Sequence, residues 1–223
     1  MPASVYPQIF RAIQERDPAI KCGLAEQIHL DWEQHRLQRL DEPAPEAIDI
    51  PGRPQKPRLV HPRQVPRRSL ATESGREVLL HSFAHIEFNA INLALDAAYR
   101  FRQMPDQFIG DWLKVAAEEA RHFSLISAYL QDLGSCYGAY DAHNGLWDMV
   151  CKTRHDVLHR MALVPRVMEA RGLDVTPGMM EKFNQIGDQR AVDILQVIYR
   201  EEVGHVAIGN SWYLYCCEQR ELN

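Results

Sequence analysis

The 223-residue chain is 46% hydrophobic and 25% charged, with a formal net charge of −5. That length allows one large domain with a real core, and a small acidic excess gives no global case for a nucleic-acid or membrane partner. No apolar run approaches the roughly 18 residues needed to cross a bilayer, and Met1-Pro2-Ala3-Ser4-Val5-Tyr6-Pro7 lacks the basic-then-apolar build of a signal peptide.

Residues 1–42 read as an N-terminal helical segment packed on the main domain, too short to hold a core alone. Ile9, Ala12 and Ile13 form an apolar stripe ahead of Asp17-Pro18, an N-cap followed by Pro at the first helical position. A second amphipathic run follows through Ile20, Leu24, Ile28 and Trp32 towards Leu40.

Residues 43–70 change character. Seven of the thirteen prolines lie here (Pro43, Pro45, Pro51, Pro54, Pro57, Pro62 and Pro66), a spacing that forbids helix and favours an extended path. The same stretch carries Arg53, Lys56, Arg58, Arg63, Arg67 and Arg68, with no acid between Asp49 and Glu73. It reads either as an ordered strap over an acidic face or as a basic arm for RNA. The absence of interleaved aromatics favours the strap.

Residues 71–223 read as a four-helix bundle, opened by Ser69 as N-cap. The first helix spans about 71–103 and places Glu87 in a stripe with Leu80, Phe83, Ala84, Ala90, Ile91, Ala94 and Ala98. A carboxylate there must be paired, protonated or bound to a metal. The second, about 106–133, puts Glu119 and His122 on one face with Trp112, Val115, Ala116, Phe123 and Ile126. Gly134, Gly138 and Asn144-Gly145 leave a connection suited to a crossover between two halves.

The third helix is predicted over about 146–171, kinked by Pro165, carrying Glu169 and ending at Gly172, with Asp174–Gly178 as a loop. The fourth, about 178–219 with an interruption at Gly187, carries Leu195, Ile198, Glu202, His205, Val206 and Gly209 on one stripe. Five cysteines (Cys22, Cys136, Cys151, Cys216, Cys217) without CxxC spacing indicate free thiols in a reducing cytoplasm.

Six residues form two matching triplets. Glu87 precedes Glu119 and His122 as Glu169 precedes Glu202 and His205; the Glu-to-Glu steps are 32 and 33 residues and the triplets are offset by 82 or 83. Glu and His at i and i+3 project from one helix face. Two such pairs plus a lone Glu on each of two other helices make the ligand set of a dinuclear site inside a four-helix bundle. Carboxylates bridge cations, neutral imidazole completes each metal, and four glutamates nearly balance two divalent ions. Arg166 offers Glu169 a competing surface ion pair. His81 and His85, on a face far from Glu87, and the pair His155/His159 read as polar-face residues. Tyr199, three residues before Glu202, lies near the ligand stripe, where a phenol can hydrogen-bond a ligand or carry a radical; an ordinary core tyrosine is the alternative.

These motifs resemble the ferritin-like superfamily of dinuclear carboxylate proteins. More closely, the chain is similar to an uncharacterised bacterial ferritin-like family. That likeness rests on Val65-Pro66-Arg67-Arg68-Ser69, His85-Ile86-Glu87, Glu118-Glu119-Ala120-Arg121-His122-Phe123, the run Arg160–Pro177, and Glu201-Glu202-Val203-Gly204-His205. A more distant likeness is to the di-iron tRNA hydroxylases. The resemblance implies an all-α, ferritin-like bundle with a crossover connection and two iron ions, or a manganese/iron pair. It also implies a cytoplasmic oxidoreductase that activates O2 to oxidise or hydroxylate a substrate the sequence does not name. Iron handling by ferroxidation is the alternative, tRNA modification a version of the first reading, and a structural helical interaction protein the third. A homodimer is compatible with all of them.

Overall fold

The computed structural model describes residues 2–66, 70 and 72–222. It is an all-α helical bundle, as the patterning predicts. Its helices are α1 (Val5–Gln14), α2 (Pro18–Glu33), α3 (Glu73–Arg100), α4 (Asp106–Asp132), α5 (Gly145–Thr153), α6 (Val157–Leu163), α7 (Ala170–Gln185) and α8 (Gln189–Gln219). A π-helical turn over Val164–Glu169 joins α6 to α7. The strands β1 (Ala3–Ser4) and β2 (Leu37–Gln38) pair in parallel and tie the N-terminus to the end of α2.

The central pair is α3 and α4. Nearly every α3 residue from Val78 to Tyr99 is buried. By length and composition α3 also matches a bilayer-crossing helix, with a mean hydropathy of 1.2 over its most apolar window, although its apolar residues form no unbroken run. Yet 78% of that window is buried inside the protein, as in a core helix. The predicted N-cap Ser69, like Arg67 and Arg68 of the basic stretch, lies outside the described residues. Thr72 caps α3, its Oγ1 accepting from Gly75 N at 3.1 Å.

Two polar clamps hold the remaining elements to α3. Lys21 of α2 is fully buried, and its ammonium donates to Ala12 O (2.9 Å), Ile13 O (2.8 Å) and Asn92 Oδ1 (2.5 Å). It thereby closes the end of α1 and pins both N-terminal helices to α3. Asp96, also fully buried, accepts from Arg160 (2.9 Å) and Arg100 (2.5 Å). Arg160 also reaches Thr153 Oγ1 and Val150 O, so one guanidinium ties α5, α6 and α3 together.

The Pro-rich stretch runs against the bundle through specific contacts. Trp147 Nε1 donates to Asp49 O at 3.0 Å, and Arg58 pairs with Asp141 at 2.6 Å. Val60 N and Ala142 N exchange hydrogen bonds with Ala142 O and Arg58 O. Gly52 passes so close to the end of α1 that a Cβ would lie 2.1 Å from Gln14 O.

The third and fourth bundle helices differ from their predicted form. A break at Arg154–Asp156 divides the third, because Asp156 turns to cap α6 (Leu158 N, 2.8 Å) and takes Arg220 in a two-point ion pair. Pro165 widens the next turn rather than merely kinking it: it has no N–H, and its ring displaces the preceding carbonyl. Gly172 does not end the helix, and Asp174–Gly178 is helical. Thr176 Oγ1 donates to Gly172 O at 2.8 Å, while buried Phe183 and the partly buried Met179 and Met180 hold α7 on the core, so packing overrides Pro177. The turn comes at Gly187 (φ +73°), and Asp188 caps α8 through Ala191 N.

Gly209 is where the π turn rests on α8: a Cβ there would lie 2.1 Å from Cβ of Pro165. Gly209→Ala is expected to destabilise the protein by about 1–3 kcal/mol through overpacking, although Ala is the better helix former. Equilibrium denaturation measures it; an unchanged or raised stability contradicts this packing.

Candidate metal centre

Four elements aim side chains at one point: Glu87 from α3, Glu119 and His122 from α4, Glu169 from the last position of the π turn, and Glu202 and His205 from α8. His122 Nδ1 lies 3.4 Å from both Glu87 Oε2 and Glu119 Oε2. His205 Nδ1 lies 3.1 Å from Glu119 Oε1 and 3.4 Å from Glu202 Oε1. Glu119 therefore stands in the middle and offers a different oxygen to each imidazole. Ligating atoms of Glu87, Glu119, His122 and Glu202 all fall within 4.8 Å of one another, a group able to hold a metal ion.

Hydrogen bonding leaves part of this cluster unsatisfied. Glu119 Oε1, Glu169 Oε2 and His205 Nδ1 are shut off from solvent and none has a partner in hydrogen-bond geometry among the described residues, the 3.1 Å approach of the first to the third being an ion contact. Unpaired buried carboxylate oxygens are costly, and a cation between them would remove that cost. The donor set, hard carboxylate oxygen with borderline imidazole nitrogen, suits iron, manganese or zinc.

Without metal, protons must do the neutralising. Burial, reinforced by the charge of Glu119, raises Glu87 well above the usual carboxylate range. Burial and the charges of Glu202 and Glu119 push Glu169 up to about 8. Burial and Glu119 also raise Glu202. For Glu119 burial works upward too, but Glu87, His122 and His205 outweigh it and hold its carboxyl well below the usual range. Burial opposes a charge on His122, yet Glu119 and Glu87 raise it to about 10; for His205, Glu118, Glu119 and Glu202 overcome burial in the same direction.

The outer nitrogens reveal two residues that lie outside the two ligand triplets. His122 Nε2 donates to Glu201 Oε2 at 2.7 Å, and His205 Nε2 to Glu118 Oε2 at 2.9 Å. The first glutamate of each Glu-Glu doublet thus crosses to the histidine of the other motif. Such pairing fixes each ring with Nδ1 inward. Arg121 in turn pairs with Glu201. The signal was present, since Glu118 and Glu201 keep the same 83-residue offset as the ligands.

A model of the family described as "Protein of unknown function (DUF455)" matches residues 14–223. The chain belongs to this family. A relative described as an uncharacterized protein from Haemophilus influenzae (strain ATCC 51907 / DSM 11121 / KW20 / Rd) is 47% identical over 229 residues, covering 98% of this chain and 79% of that protein. No solved structure matches. The DUF455 match spans all six converging residues and both outer glutamates.

Tyr199 is partly buried and makes no side-chain hydrogen bond among the described residues. His81 accepts from Gly138 N, and His85 sits between Tyr137 Oη (2.9 Å) and His143 O (3.0 Å); burial pushes both down to about 4. His155 and His159 are exposed and hydrogen-bond each other.

The proton inventory sets a pH test for the metal-free protein. Glu169, near 8 folded, has an ordinary value near 4.5, so the folded state binds more protons between those values and stability falls as pH rises through them. His122, near 10 against 6.5, has the same sign over the higher window. Glu169→Gln should therefore stabilise the metal-free protein at about pH 9 relative to wild type, and by much less at about pH 5. Denaturation curves at both pH values check this; an equal effect refutes the shifted carboxyl.

Proposed function

We propose that this chain is a ferritin-like dinuclear metal protein, most simply di-iron with manganese/iron as the variant, that activates O2 to oxidise or hydroxylate an organic substrate. One observation carries this reading: four glutamates and two histidines from four helical elements converge, with three of their polar atoms buried and outside hydrogen-bond geometry. Repeated helix pairs bearing Glu and Glu-x-x-His are the arrangement of carboxylate-bridged metal sites in four-helix bundles.

Glu87, Glu119, His122, Glu169, Glu202 and His205 would hold the metals, with Glu119 placed to bridge. Bound iron would supply the electrons that reduce O2. The chain's residues do the rest. Glu118 and Glu201 hold the imidazole rings with Nδ1 inward, and the apolar stripes of α3 and α4 keep bulk water from the centre. Binding must displace protons from both imidazoles and from the raised carboxyls, so affinity should climb with pH.

The Pro-rich stretch supports a strap better than an RNA arm, since Arg58 is engaged by Asp141. We place the protein in a reducing cytoplasm, in keeping with its five free cysteines.

Anaerobic loading with Fe2+ or Mn2+ and metal analysis test the proposal. About two metals per chain are expected, and Glu119→Ala should lower metal affinity about tenfold or more. Fewer than one metal per chain under replete conditions refutes the metal centre. Exposure of the Fe2+ form to O2 separates the functions: a stoichiometric optical change supports the oxidase, and multi-turnover iron mineralisation identifies iron handling instead.

A further inference from the structure

The two crossed Glu–His pairs occupy equivalent positions in the chain's repeat but are not equally protected. On one side Glu201 is gripped twice, by His122 Nε2 and by the guanidinium of Arg121. Arg121 stands three residues after Glu118 and one before His122, and reaches from α4 across to α8. The position in the same register on α8 is Gly204, three after Glu201 and one before His205. Among the described residues no arginine reaches back to Glu118.

The space an arginine would fill is open. Gly204 is exposed in the middle of α8, and a Cβ built on it meets no atom within 4 Å. Glu118 is 24% exposed, against 20% for Glu201, and after His205 its nearest cation among the described residues is Lys114 Nζ, at 3.9 Å on its own helix. Inside Glu118 stands one ring, His205, whose Nε2 is held by that carboxylate and whose Nδ1 faces the centre, 3.1 Å from Glu119 Oε1. Solvent and centre are thus separated by one carboxylate and one imidazole. On the opposite side the carboxylate is neutralised and tethered.

We propose that the α4–α8 seam at Gly204 is the gate through which divalent metal ions reach and leave the centre, with Glu118 as their first ligand. This rests on the metal-centre reading above. A cation approaching the seam meets an anionic carboxylate without a competing guanidinium, which raises its local concentration. His205, whose outer carboxylate has no guanidinium behind it, is the ring that turns to pass the ion inward, exchanging its 3.1 Å contact with Glu119 for the metal. The Arg121–Glu201–His122 chain keeps the mirror seam shut.

Co2+ alone is a suitable probe, because its visible bands report ligation; stopped-flow loading gives the on-rate and stripping by EDTA the off-rate. Gly204→Arg would supply the missing reach to Glu118, and Gly204→Gln similar bulk without charge. Both sit on an exposed helical surface and should fold. Each is expected to slow loading and stripping by about tenfold or more, with the equilibrium affinity within about threefold of wild type, as a barrier requires. Ala207→Gln, equally bulky and exposed on the same helix, should leave both rates unchanged.

Rates within about twofold of wild type in both Gly204 variants overturn the gate, because ions then pass elsewhere. Slowing by Arg but not by Gln overturns it too, since the effect would be long-range charge repulsion. Equal slowing by Ala207→Gln has the same consequence. Failure of the wild-type chain to take up Co2+ under replete conditions would instead refute the metal-centre reading itself, which these rate comparisons do not touch.

Discussion

The structure depends on one electrostatic constraint: four carboxyl groups brought together in a core that excludes water. Two like charges a few ångströms apart in a medium of reduced dielectric repel by several kcal/mol, and each also forfeits its hydration. Neutralisation is therefore obligatory. The arrangement meets it twice over, with imidazoles between the carboxylates and protons on the carboxyls least able to ionise. Glu119, facing both histidines, keeps its charge, while burial forces protons onto Glu87 and Glu169. The same geometry that makes the metal-free cluster depend on protons makes it a good host for cations.

Holding such a cluster requires rigid walls, and the chain builds them unequally. The α3–α4 half is enclosed by α1 and α2, with Lys21 tying the end of α1 to Asn92 beside the buried face of α3. The other half has less cover. Of the α7 residues only Phe183 is fully buried, and Val167, Val175 and Val203 are exposed. Its precision comes instead from local devices: Arg160 bracing the α5–α6 break against Asp96, and Gly209 admitting Pro165 against α8. Glu169 is positioned by that contact.

What was legible in the sequence follows from which interactions are local. Glu119/His122 and Glu202/His205 could be read because helical spacing alone puts each pair on one face. Glu87 could be read because a carboxylate inside an apolar stripe requires a reason. Glu169 was a weaker inference for a physical cause: a π turn changes the phase of the helix, so its direction cannot be taken from 3.6-residue periodicity. Gly172 and Pro177 looked like punctuation, and packing of Phe183 overrode them. The break after Thr153 carries neither Gly nor Pro, and depends on Asp156 finding Arg220 some sixty residues away. Glu118 and Glu201 fall outside the triplets because their partners lie on the opposite helix, although the repeat already marks them.

The repeat also explains why the site is nearly, but not fully, symmetric. Two helix pairs meeting across α4 and α8 place each doublet opposite the other's histidine, so the crossed contacts follow from antiparallel packing of two like motifs. Antiparallel packing says nothing about the residue just before each histidine, which lies on the outer surface. That position is free to differ, and it does: Arg121 stiffens one half, while Gly204 leaves the other with a carboxylate bonded only to its histidine and near a lysine. A symmetric pair of arginines would lock both rings equally. Without the second, the two outer carboxylates are not equally braced, and in the proposed gate His205 is the ring that moves. Any chemistry or exchange that needs a ring to move is therefore favoured on the α8 side.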